Sequence, residues 1–209
     1  MLNKEEEVES IKILLIGDEG VGKSLIISRY KYIPFYENME TSFGASYCSK
    51  KIQIGDKIVN LNIWHSLSQK RKSSISKLFY KNAFVVCLVY DITNKDSFED
   101  LKKIWYPDLQ NNGEKYTILA VVGNKSDLFI EEQITEDEGK QYAKEINAIF
   151  MLTSAKTGDA IDILFESLAK KYLSPENKSI IDEMKKERSL SFNLNDIKSD
   201  EYCKKKKCC

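Results

Sequence analysis

The chain lacks any apolar run long enough to cross a bilayer. About 20 residues are needed for that, and the longest run, Ala83 to Tyr90, is about eight. This excludes a spanning helix. No charged segment followed by an apolar stretch opens the chain, so no signal peptide is expected. An excess of either charge is also lacking, because 32 Lys+Arg balance 32 Asp+Glu. Net charge therefore points to no partner, and no nucleic-acid binding is expected. Of 5 cysteines, Cys203, Cys208 and Cys209 lie at the extreme C-terminus, where no core exists for a disulfide to staple. A reducing, cytosolic compartment fits best. Cys48 and Cys87 fall in strand patterns and read as buried packing residues.

What is present suffices for one folded domain with a tail. The 209 residues are 42% hydrophobic, enough to bury a full core. Short apolar runs at Ile11–Ile16, Lys51–Ile54, Ile58–Trp64, Ala83–Tyr90, Tyr116–Gly123 and Ala148–Leu152 read as strands. Several are continuous and β-branched, as in strands covered on both faces. Helical periodicity marks Lys23–Tyr32, Lys95–Leu109, Thr135–Ile146 and Asp159–Leu173. Alternation of the two argues an α/β fold with a doubly wound parallel sheet. Gly55-Asp56-Lys57 between two of the strands reads as a hairpin, which adds one antiparallel edge strand. Residues 1–10 form an acidic extension, 11–174 the domain, and 175–209 a polar, flexible tail.

Gly17-Asp18-Glu19-Gly20-Val21-Gly22-Lys23-Ser24 matches the phosphate-loop pattern G-x-x-x-x-G-K-[ST]. Chance produces that match in roughly one per cent of chains of this length. Here it also follows a strand and opens a helix. Its glycines let main-chain N–H groups, including that of Val21, turn toward phosphate oxygens. The helix adds its positive end. Lys23 is placed to reach the β- and γ-phosphates, and the Ser24 hydroxyl to hold Mg²⁺.

Asn124-Lys125-Ser126-Asp127 follows the fifth strand. The Asp127 carboxylate can accept both guanine N1–H and N2–H, a donor pair that adenine lacks. Alone this tetrapeptide is a polar turn; downstream of a phosphate loop it is a base site. Thr153-Ser154-Ala155-Lys156, after the last strand, can offer a main-chain N–H to guanine O6.

These motifs, with IW at 63–64, LVYDIT at 88–93, GNKSDL at 123–128 and TSAKTG at 153–158, make the sequence resemble the Ras superfamily of small GTPases, most closely the Rab family. The resemblance implies a P-loop NTPase (small G domain) fold, a mostly parallel six-stranded sheet with helices on both faces, binding GTP/GDP with Mg²⁺. It implies that Phe35 packs on the guanine and that Ser42, in Ser42-Phe43-Gly44, is the second metal-side hydroxyl. It implies an aromatic effector patch of Tyr47, Trp64 and Phe79, whose alternative is ordinary sheet-edge packing. A prenyltransferase escort, an exchange factor, a dissociation inhibitor and effectors are the implied partners. A monomer cycling between cytosol and the cytosolic face of an endomembrane is the implied state.

The chain departs from the family after Trp64. The family segment reads D-T-A-G-Q, and here it is His65-Ser66-Leu67-Ser68-Gln69. Only Gln69 is kept, the residue that can orient the attacking water. His65, the single histidine, supplies no anionic oxygen and is a poor match for Mg²⁺; it reads as a polar residue capping a strand. Ser68 replaces the glycine whose N–H meets the γ-phosphate. Weaker nucleotide discrimination, slow hydrolysis and a weakened Mg²⁺ site are expected. Glu19 stands where the family has a small residue. At ~4 Å from a phosphate it would cost roughly 4 kcal/mol at an effective dielectric near 20, so it is expected to face solvent. Lys70, Arg71 and Lys72 read as a solvated charge run.

Lys204–Lys207 followed by Cys208-Cys209 resembles a Rab double-prenylation site. Each lysine near an anionic leaflet adds ~1 kcal/mol, and two anchoring signals hold where one is marginal. Cys203 is a third thiol without an assigned role. The rival to a membrane-anchored switch in vesicle transport is a pseudo-GTPase scaffold, motivated by 65–68. A phosphotransferase is disfavoured because no second substrate site or lid is evident.

Overall fold

The computed structural model describes residues 8–33, 47–65 and 77–187. Phe35, Ser42, Ser66–Gln69, Lys204–Lys207, Cys208 and Cys209 lie outside them. Among the described residues six strands are formed: β1 (Glu9–Ile16), β2 (Tyr47–Ile54), β3 (Lys57–His65), β4 (Val85–Asp91), β5 (Ile118–Asn124) and β6 (Ile149–Thr153). Their order in the sheet is β2-β3-β1-β4-β5-β6. Only β2 with β3 is antiparallel, around the expected Gly55 turn; the other pairs are parallel. Every residue of β4 is buried, the pattern of a strand covered on both faces. Its apolar run is why it occupies the middle of the sheet.

The helices are α1 (Lys23–Tyr30), α2 (Lys77–Tyr80), α3 (Lys95–Asp100), α4 (Tyr106–Asn112), α5 (Glu136–Glu145) and α6 (Ile161–Leu173). α1 stops two residues before the sequence pattern suggests, because Tyr32 takes a left-handed conformation at φ 62°. The single helix expected over 95–109 is divided. A π turn, Leu101–Trp105, separates α3 from α4, and Tyr106 N–H bonds Leu101 O. Pro107 explains the position: it has no N–H to donate to the preceding turn. α5 starts on a capping box, with Thr135 and Glu138 bonding reciprocally.

The chain divides into two compact units, Met1–Tyr172 and Leu173–Cys209. Within the second, residues 175–187 are helical. Ser174 O accepts from Lys178 N at 2.9 Å, Pro175 sits at the first helical position, and Lys178 pairs with Asp182 at 2.7 Å. No helix among the described residues is long and apolar enough to cross a membrane.

Candidate functional site

Parallel strands place their C-terminal ends on one edge of the sheet. β1 runs into Gly17, β3 ends at His65, β4 at Asp91, β5 at Asn124 and β6 at Thr153. The described residues of the phosphate-loop and base motifs meet there, as open α/β sheets favour for ligands.

The loop 17–24 is built on positive φ. Gly17, Gly20 and Gly22 adopt φ 145°, 79° and 96°. A Cβ on Gly17 would stand 2.1 Å from Val89 O, and one on Gly22 2.2 Å from Asn124 Nδ2. At Gly20 there is open space. Gly22 caps α1, and its carbonyl accepts from Ile26 N at 2.9 Å. Lys23 is 5% exposed. Its ammonium donates to Gly17 O at 2.8 Å and Asp18 O at 2.6 Å. Burial pulls its pKa down to about 8, partly offset by the charges of Asp18 and Glu19. A phosphate would restore the charge that burial disfavours. Glu19 faces solvent, as expected. Asp18 does not: it is buried, and its Oδ1 accepts from Trp105 Nε1 at 2.8 Å.

Asn124 joins the phosphate loop to the base motifs. Its Nδ2 donates to Val21 O at 2.8 Å. Its Oδ1 accepts from Ala155 N and from Thr153 Oγ1, both at 3.2 Å. The Ala155 N–H, one of the main-chain donors of 153–156 that the sequence could offer to guanine O6, therefore already has an acceptor. Asp127 Oδ1 accepts from Ser154 Oγ at 2.6 Å, which fixes the carboxylate. Lys125 is left-handed at φ 68°, and its ammonium pairs with Asp91 Oδ2 at 2.5 Å. Arg29 on α1 donates to Thr157 O at 2.6 Å, so helix and base loop are tied. Lys156 is exposed. The sequence reading assigned no role to Trp105 or Arg29, and to Asp91 only a place in the 88–93 motif. Trp105 sits at helical spacing among apolar residues, which signals core, and nothing local marks its distant carboxylate.

On the metal side, Ser24 Oγ and His65 Nε2 lie 3.0 Å apart in a hydrogen bond. His65 is 2% exposed and registers opposite Leu15 on β1. Ser24 fits a cation as one oxygen donor. Among the described residues no cluster of three His, Cys, Asp or Glu could hold a metal by itself, so phosphate oxygens and water would have to complete the shell.

Of the aromatic patch, Tyr47 and Trp64 face each other across β2 and β3 with centroids 4.5 Å apart. Tyr47 is 43% exposed and donates to Asn62 Oδ1 at 2.7 Å. Phe79 makes its ring contact with Tyr80 at 6.3 Å. Cys48 and Cys87 are buried; burial raises both thiols, Cys87 to about 12.

Residues 12–174 match the model of the Ras family. Ras-related protein Rab5A of Oryza sativa subsp. japonica is 37% identical over 171 residues, 82% of this chain and 84% of that protein. Ras-related protein Rab-31 of Mus musculus is 35% identical, covering 78% of this chain and 83% of its own. Ras-related protein Rab-5A of Dictyostelium discoideum is 34% identical, covering 81% and 84%.

Proposed function

The chain belongs to the Ras family, and on that footing we propose that it is a Rab-like guanine-nucleotide switch of vesicle-mediated transport, held on an endomembrane by lipid. The observation that carries the reading is Asn124. One side chain bonds Val21 of the phosphate loop and Ala155 of the base loop, so both halves of a purine-nucleotide site are held at a fixed span. Lys23 and the loop amides take the phosphates, and Asp127 selects guanine. Ser24 supplies a cation ligand; Ser42 and Phe35 are assigned to the cation and the base by family likeness.

Hydrolysis is slow in this reading. A buried imidazole stands where the family has a carboxylate, and Ser68 replaces the glycine that senses the γ-phosphate. Gln69 is then left to orient water without its usual neighbours. Prenyl groups on Cys208 and Cys209, with Lys204–Lys207, supply two membrane signals. An escort, an exchange factor, a dissociation inhibitor and effectors follow from the family.

Partner capture from lysate with GDP-loaded and GTP-analogue-loaded protein tests the switch. A set of partners retained only in the analogue-bound state is expected. Identical capture in both states would establish a nucleotide-insensitive scaffold instead. The anchor is tested by vesicle flotation after prenylation; Cys208→Ser with Cys209→Ser should leave the protein in the soluble fraction.

A further inference from the structure

We propose that Ser24 Oγ and His65 Nε2 together ligate the cation that accompanies the nucleotide, giving a mixed oxygen–nitrogen site that prefers a first-row transition dication such as Mn²⁺ over Mg²⁺. The inference rests on the nucleotide-binding reading above and adds the identity of the metal.

Two atoms bound cis to one octahedral cation at ~2.1 Å stand about 3.0 Å apart. That is the separation of Ser24 Oγ and His65 Nε2 in the structure. Both sit on rigid elements. Ser24 belongs to the first turn of α1, and His65 ends β3 in register with Leu15. The imidazole is 2% exposed, so its orientation is fixed by packing rather than by solvent. Among the described residues, the carboxylates of the neighbouring loops are turned elsewhere. Asp18 Oδ1 is held by Trp105, Asp91 Oδ2 by Lys125, and Glu19 is exposed.

A hard cation such as Mg²⁺ favours oxygen donors and gives up water reluctantly. Imidazole nitrogen is a better ligand for first-row transition ions, and affinity rises along that series from Mn²⁺. Replacing an anionic oxygen by a nitrogen at this position therefore lowers the advantage of Mg²⁺ and raises that of its competitors. The hydroxyl, the imidazole and the phosphate oxygens together form a donor set that Mg²⁺ alone does not demand.

The chain offers a clean spectroscopic handle, since His65 is its only histidine. Untagged full-length protein is loaded with GDP and Mn²⁺ and examined by electron spin-echo envelope modulation. A nitrogen modulation that changes frequency when histidine is ¹⁵N-labelled is the expected result, and this arm needs no variant. In parallel, release of a fluorescent GDP analogue is timed in Mn²⁺ and in Mg²⁺. Slower release in Mn²⁺ is expected, with the Mn²⁺-over-Mg²⁺ ratio falling roughly tenfold in His65→Asp. Retained GDP with no histidine-derived modulation overturns the ligation, leaving the contact a hydrogen bond. A ratio unchanged by His65→Asp overturns the preference. Protein that retains no nucleotide with either cation overturns the nucleotide-binding reading, and this inference with it.

Discussion

Trp105 donates its indole N–H to the Asp18 carboxylate across 2.8 Å, joining the π turn between α3 and α4 to the phosphate loop. Both residues are buried, at 7% and 5% exposure. Trp105→Phe strands a buried carboxylate and should cost about 1–3 kcal/mol. Adding Asp18→Ala should cost less than the sum of the two single changes. Urea unfolding of all four proteins measures the coupling; a value near zero would show that the bond adds nothing to the loop.

The three loop glycines are not equivalent. Gly22→Ala drives a Cβ to 2.2 Å from Asn124 Nδ2 at φ 96°, whereas Gly20→Ala enters open space at φ 79°. Gly20→Ala should cost only the backbone term, about 1 kcal/mol. Gly22→Ala should in addition dislodge the Asn124 amide and abolish tight GDP binding. Equal GDP affinity in the two variants would contradict the assignment.

Asn124→Ala removes the donor to Val21 O and the acceptor of Ala155 N and Thr153 Oγ1. Three buried polar groups then lack partners, at about 1–3 kcal/mol each before relaxation. Weaker GDP binding should accompany the lost stability, because the same atoms set the span between phosphate and base. Stability lost with GDP affinity intact would separate the two roles.

Burial holds the Cys87 thiol up to about 12, so the folded chain keeps a proton that the unfolded chain releases near pH 9. Stability contributed this way is complete below pH 9 and declines as pH rises toward 12, by about 1.4 kcal/mol per unit. Cys87→Ala lacks that term. Its stability deficit relative to the native chain should shrink by about 2 kcal/mol between pH 8 and pH 10.5. Urea midpoints at both values measure this; a constant deficit would mean that Cys87 ionises in the folded state too.

The sheet was legible because its signals are local. Continuous β-branched runs gave the covered strands, and Gly55-Asp56-Lys57 gave the antiparallel pair seen in β2 and β3. The phosphate loop and the base motif were legible because each is contiguous. Residues acting through distant partners were not. Trp105 reads as core at helical spacing, although its indole serves a residue far back in the chain. The π turn escaped because Pro107 reshapes a helix without breaking its apolar rhythm. Residues 175–187 escaped because their apolar positions are few and scattered among charges, although one of them, Ile181, is fully buried. His65 could be seen to differ from the family, but its contact with Ser24 required the parallel register of β1 and β3.

Calorimetric titration of nucleotide-free protein with GDP and with ADP bears most directly on the proposed site. GDP should bind about 10⁴-fold more tightly than ADP. Lys23→Ala should weaken both ligands alike, and Asp127→Ala should erase the preference. Unchanged GDP affinity in both variants would contradict a site in which a buried ammonium grips the phosphates while a fixed carboxylate chooses the base.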